Sequence, residues 1–159
     1  MKSSYRSGIN FGLTSAVITT LALMVGLISG TGSKLAVLGG ILVIAIADAF
    51  SDALGIHITE ESKSHKSVRD VWEATFSTLF AKFFFAITFI FPVLLFDLKT
   101  AMIIDIVWGA LLLTIISVII AREQKTKSWK MVGEHLLIAT VVIAISHWAG
   151  KIINLLMIE

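Results

Sequence analysis

The chain has 159 residues, 57% of them hydrophobic and 15% charged, with a formal net charge of +2 and a mean hydropathy of +0.93. That balance exceeds what a soluble core needs and indicates a membrane protein. The small net charge argues against a nucleic-acid partner, and with no cysteine there is neither a disulfide framework nor a thiolate metal site.

Five apolar segments of spanning length follow one another at 9–29, 35–56, 75–96, 101–121 and 132–156, against a requirement of about 20 residues per helical span. Backbone polar groups in lipid must pair within their own segment, and the alternating short strands of a barrel are absent, so helices are expected. The expected fold is all-α, a single five-helix transmembrane domain covering 1–159. The first segment is too long for a secretory signal, lacks a small-x-small cleavage site and runs almost directly into the second, so it is read as retained. Along it Gly12, Ser15, Thr19, Ala22, Gly26 and Ser29 recur at three- and four-residue steps. Small residues that let backbones approach form the usual seam between membrane helices, and this stripe suits either a seam with the second span or a dimer interface.

The connectors are short. The longest, "HITEESKSHKSVRDVWEA", mixes charge signs and is expected to extend the second and third spans as helical ends, with a turn near Ser64 to Ser67. Lysine and arginine set the orientation. Lys2, Arg6, Lys63, Lys66, Arg69, Arg122, Lys125, Lys127 and Lys130 fall on one side, and only Lys34, Lys99 and Lys151 on the other. By the positive-inside rule the N-terminus is expected in the cytoplasm and the C-terminus outside.

The second span carries Asp48 and Asp52 inside "IADAFSDALG". Four residues apart on a helix, they share a face with Ser51 and Gly55. Two carboxylates this close in a poorly hydrated site do not both ionise freely; one holds a proton, or a cation sits between them. In the third span Lys82 stands about 10 residues from the same side and Asp48 about 9, so their depths match. A buried Asp48–Lys82 pair is the simplest structural reading, and it leaves Asp52 over.

Near that side gather His57, Glu60, Glu61, His65, Glu73, Glu134 and His135. Imidazole and carboxylate suit Mn²⁺, Fe²⁺ and Zn²⁺. Singly, each reads as a solvated or helix-terminal group, and only their convergence would make a metal site. The expected metal-contacting set is Asp48, Asp52, His57, Glu60, Glu61 and Glu73, with Lys82, Glu134, His135 and His147 as ion-path or charge-pair candidates. His147, in "SHWAGK", reads first as a hydrogen-bonded packing residue and second as a proton relay. No nucleophile elbow, phosphate loop or zinc-peptidase helix motif is present, and no enzymatic activity is expected.

The segment "ADAFSDALG" resembles the A-D-A-x-S-x-x-L-G stretch in the second span of the vacuolar iron transporter family. "TTLALMVGL", "FPVLLF", "REQKTKSWKMVGEHLL" and "SHWAG" agree with that family in outline. The resemblance implies a homodimer in the lipid bilayer, with the pathway near the two-fold axis. It also implies export of ferrous iron or manganese from the cytosol in exchange for protons, with the metal ion as cargo and no tightly bound cofactor. A multi-pass protein of a prokaryotic inner or plasma membrane is the expected setting. Departures stand out. Where the family has an acidic residue within N-D-G-L, this chain reads "INFGL", with Phe11 in its place beside Asn10. Asp52 stands where the family often has methionine, a change toward oxygen ligands that tilts preference from Fe²⁺ toward Mn²⁺ or another oxygen-seeking cation. The family's glutamate-rich extension is reduced to Glu60, Glu61, Asp70 and Glu73. A transporter of another cation or solute, with Asp48 and Asp52 as proton carriers, and a non-transporting protein with a structural charge pair remain the alternatives.

Overall fold

The computed structural model describes residues 3–157; Lys2, counted above among the positive charges, lies outside them. The described residues form helices and connecting turns: α1 (Ser3–Thr31), α2 (Lys34–Val43), a π-helical turn (Ile44–Asp48), α3 (Ala49–Glu61), α4 (Val68–Thr88), α5 (Ile90–Leu95), α6 (Leu98–Glu123) and α7 (Ser128–Met157). Taken as continuous rods, α1, α2–α3, α4–α5, α6 and α7 are five helices long and apolar enough to cross a membrane. Four of the five expected segments lie within one of them; the third, 75–96, ends one residue past Leu95, and at every other end the observed helices extend beyond the expected segments.

Local chemistry sets the boundaries. Gly32, at φ +58°, ends α1 with its N–H on the Ile28 carbonyl, a left-handed conformation that glycine adopts without a side-chain clash. Ser33 caps α2 by accepting from the Ala36 N–H at 3.2 Å. Ser67 and Asp70 form a reciprocal capping box at the start of α4, which places the expected turn directly before it. Asp97 caps α6 by accepting from the N–H groups of Lys99 and Thr100. The Thr100 hydroxyl, followed by its N–H, holds the Asp97 carboxyl below its usual range. The third span breaks at Phe89, because Pro92 has no N–H to continue the α-helical ladder.

The helices alternate in direction. At the amino-terminal side, Arg6 pairs with Glu123 at 2.8 Å and Lys66 donates to the Ser4 hydroxyl at 2.7 Å. At the carboxy-terminal side, Lys34 donates to the Leu94 and Phe96 carbonyls, each at 3.1 Å, and Asn154 donates to the Gly30 carbonyl at 2.8 Å.

α1 is the axis of the bundle. It packs most extensively on α4, then on α7, and also meets α6, α2 and α3. A Cβ at Gly12 would stand 2.6 Å from the Thr78 carbonyl oxygen on α4, and one at Gly26 would stand 3.4 Å from the Ser146 carbonyl oxygen on α7. The small-residue stripe therefore packs within the molecule, against α4 at Gly12 and α7 at Gly26, and it meets the second span through Ser15, whose hydroxyl donates to Asp52. Around it, Val17, Leu21 and Met24 join Val37, Ile41, Phe89, Val93 and Leu113 in the main apolar cluster. The outward surface is apolar too. Ile138, Val141, Ile145, Trp148 and Ile152 of α7 are exposed, as are Trp72, Phe76, Phe80 and Phe84 of α4, which is the outside expected for a bundle in lipid.

The closest backbone approach follows from Gly150, where a Cβ would lie 2.3 Å from the Gly26 carbonyl oxygen. Gly150→Ala is predicted to destabilise the bundle by about 1–3 kcal/mol through overpacking, read by thermal unfolding in detergent. An unchanged transition would show that α1 and α7 separate without cost.

Candidate functional site

The charged centre of the bundle is built from three spans. Lys82 lies on the buried face of α4, in line with Val71, Thr75, Thr78 and Ala86, and has 0% of its surface exposed. Its ammonium pairs with Asp48 Oδ2 at 2.5 Å and with Asp52 Oδ2, and donates to Ser15 Oγ of α1 at 2.9 Å. An ammonium has three N–H donors, and all three are used. Ser15 in turn donates to Asp52 Oδ2 at 2.6 Å, so one hydroxyl ties the cation to the carboxylate.

The π-helical turn ends on Asp48, with the Ala49 N–H reaching the Ile44 carbonyl five residues back. Such a turn widens the helix by one residue, and π turns are frequent at functional sites. Sequence reasoning matched Asp48 with Lys82 by depth, and that pairing is present. Its corollary is corrected: Asp52 is not left over, because Lys82 bridges both carboxylates and Ser15 adds a bond to Asp52.

The formal charge of this centre is one positive against two negative, a net of −1. The two aspartate side chains stay partly open, 35% for Asp48 and 20% for Asp52, and neither Oδ1 accepts a hydrogen bond among the described residues. The centre therefore combines a buried cation, surplus negative charge and free carboxylate oxygens on one face. Oxygen donors of this kind suit hard or borderline divalent cations.

The remaining expected ligands do not converge on it. Among the described residues no group of three or more histidine, aspartate or glutamate side chains is placed to hold a metal ion. Glu60, 1% exposed, is neutralised by Lys63 at 2.5 Å and Lys66 at 3.2 Å, and so ties the α3–α4 turn to the start of α1. Glu73 pairs with Arg69 at 2.8 Å. Glu61, His65 and Glu134 are exposed, Glu134 lining a shallow depression with Lys125, Lys127 and Lys130. The expected cluster of Asp48, Asp52, His57, Glu60, Glu61 and Glu73 is thus resolved into separate local pairs, because Lys63 and Lys66 of the turn claim Glu60 and Arg69 of α4 claims Glu73.

Three histidines join neighbouring spans through hydroxyls. His57 Nδ1 lies 2.9 Å from Thr75 Oγ1. Thr75 already donates to the Val71 carbonyl, so its oxygen is left to accept from His57. His135 Nδ1 meets Ser117 Oγ at 2.6 Å, and Ser117 donates to the Leu113 carbonyl at 2.5 Å, the same arrangement. His147 Nδ1 bonds Ser29 Oγ at 2.6 Å, fastening α7 to α1 as the packing reading expects.

Sequence reasoning missed Ser15 as a partner, the π turn and Asp105. Asp105 is 0% exposed on α6, and a lone acid inside "AMIIDIVWGA" carried the same kind of signal that singled out Asp48. No family model matches the chain, and no curated protein matches it.

The charge arithmetic yields a stability prediction. Lys82→Met leaves two carboxylates without their cation and is predicted to cost about 3–5 kcal/mol, the range for breaking a buried pair. Adding Asp48→Asn and Asp52→Asn to Lys82→Met should recover most of that loss in the same thermal unfolding assay. No recovery would assign the effect to packing of the lysine stem rather than to charge.

Proposed function

We propose that this chain is a membrane transporter that moves a divalent transition metal, Mn²⁺ or Fe²⁺, out of the cytosol in exchange for protons. The observation that carries the reading is the Lys82 centre: two partly open carboxylates with free oxygens, held by an ammonium that has no exposed surface. The resemblance of "ADAFSDALG" to the vacuolar iron transporters supports the same reading, and the carboxylate at position 52 favours Mn²⁺ over softer cargo.

Charge balance suggests how exchange works. At rest the centre stands at −1. A divalent cation on the Asp48 and Asp52 oxygens brings it to +1 while the Lys82 ammonium stays in place, and to zero once Lys82 swings away. The cation and the charged lysine therefore compete for the same carboxylates. Asp52, nearer the amino-terminal side, receives the ion, and Asp48 holds it at mid-depth.

The partners are the lipid bilayer and a second copy of the chain. Since the α1 stripe is occupied internally, the surface favoured for a homodimer is on the second span. There Ala47, Ser51, Gly55 and Thr59 are exposed at four-residue steps beside Asp48 and Asp52, and a second copy over this face would shield the open carboxylates from lipid. The amino-terminal side, richer in lysine and arginine, faces the cytoplasm, in a prokaryotic inner or plasma membrane. The competing reading, a purely structural charge pair, is favoured by the complete use of the Lys82 donors, and the flux test below separates the two.

In proteoliposomes, Asp52→Asn is predicted to abolish most Mn²⁺ flux while folding and oligomeric state persist. The variant Asp48→Asn with Lys82→Met, whose remaining Asp52 carries a single negative charge, should fold and fail to transport; wild-type flux in it would end the transport role of Asp48. A cysteine placed at Lys127 is predicted to be labelled only from the cytoplasmic side and one at Lys151 only from the opposite side. The reverse pattern would overturn the orientation.

A further inference from the structure

Among the described residues, three buried side chains keep an oxygen with no hydrogen-bond partner: Glu60, Thr20 and Asp105. Glu60 has its ion pair with Lys66 at 3.2 Å. Asp105 has none. Its side chain has no exposed surface, and neither of its two carboxyl oxygens meets a donor. It lies on the buried face of α6 between Ala101 and Gly109, and Gly109 is in close contact with Val17 and Leu21 of α1.

The elements packed on α6 offer it no counter-charge. α1 brings Tyr5 and Arg6, both at the amino-terminal end, where Arg6 is paired with Glu123. α5 has no titratable group. α7 brings Lys130, Glu134, His135, His147 and Lys151; of these His135 bonds Ser117, His147 bonds Ser29, and Lys130, Glu134 and Lys151 are exposed. α4 touches α6 through the Trp108 to Thr88 hydrogen bond, and its Lys82 is committed to Asp48, Asp52 and Ser15. An ionised carboxylate that is buried and unpaired is strongly disfavoured, whereas a neutral acid is far less costly.

Depth gives this group a direction. At 1.5 Å per residue, Lys82 lies about 20 Å below the carboxy-terminal end of its span, Thr20 about 16 Å below the end of α1, and Asp105 about 10 Å below the start of α6. The two unpartnered oxygen-bearing side chains of the bundle interior therefore both stand between the Lys82 centre and the carboxy-terminal side.

We propose that Asp105 is an intramembrane proton-binding site, occupied as the neutral carboxylic acid in the folded protein, which exchanges its proton with the carboxy-terminal side. Its occupancy stands on burial and missing donors alone. Its role in coupling rests on the transport reading: exchange of a divalent ion without net charge needs two protons, and Asp105 carries one of them.

The test is infrared difference spectroscopy of the full chain in lipid nanodiscs. The wild type is expected to show at neutral pH the carbonyl stretch of a protonated carboxyl that shifts in deuterated water and is lost in Asp105→Asn. Absence of that band from the wild type, or its persistence in the variant, overturns the site. If Asp105→Asn does not fold, isotopically labelled aspartate in the Lys82→Met, Asp48→Asn, Asp52→Asn background, which keeps the centre free of unpaired charge, carries the same readout without touching position 105, the other labelled aspartates, Asp70 and Asp97, lying at helix starts outside the bundle interior. In proteoliposomes, Asp105→Asn is then expected to retain Mn²⁺ flux down its own gradient and to lose the acceleration given by an opposing pH gradient; full acceleration in the variant overturns the coupling role. Absence of Mn²⁺ flux from the wild type would instead remove the transport reading and the coupling built on it, while the carbonyl band still decides whether Asp105 binds a proton.

Discussion

A lysine ammonium with no exposed surface, halfway along helices long enough to cross a membrane, must be neutralised where it stands. Removing such an ion from water costs several kcal/mol even after the protein relaxes, and here the cost is met by contacts from three spans at once. Lys82 comes from α4, Asp48 and Asp52 from the second span across its π turn, and Ser15 from α1. Fixing these four side chains fixes the relative rotation and height of the three spans. The arrangement is unbalanced by one negative charge, and that residual charge separates a possible cation site from an inert staple.

The same centre dictates what α1 can be. For Ser15 to reach both Lys82 and Asp52, α1 has to lie close against α4, and Gly12, one turn before Ser15, brings the backbones together beside the Thr78 carbonyl. Further along, Gly26 and Gly30 perform the same service against Gly150 of α7. A helix that bears neighbours on several sides cannot also offer its whole small-residue face to a second molecule.

The five spans were legible in the sequence because length and hydropathy are enough to define them, and the capped turn before Val68 was legible through its serine and charge pattern. The Asp48 to Lys82 pairing was legible as well, since matching depths need only the helical rise. The engagement of Asp52 was not. It involves a serine of a distant span that read only as small, and the widened turn just before Asp52, in "IAIAD", lies among apolar residues that give no sign of an added residue. The dispersal of the acidic residues beyond position 56 was partly legible, since Lys63 and Arg69 stand three and four residues from Glu60 and Glu73, whereas Lys66 comes within reach of Glu60 only once the chain has turned. Asp105 was visible as a lone acid in an apolar run, yet its lack of a partner is a property of the packed bundle, which no sequence window contains.

The central claim is that the carboxylates now holding Lys82 are the seat of a transported cation. The most direct measurement is an experimental structure of the protein in lipid with Mn²⁺, using the anomalous scattering of the metal to locate it. The account predicts a metal peak between Asp48 and Asp52, with the Lys82 ammonium withdrawn from their oxygens. A structure at saturating Mn²⁺ in which Lys82 still bridges both aspartates, with the metal elsewhere or absent from the bundle, would contradict it.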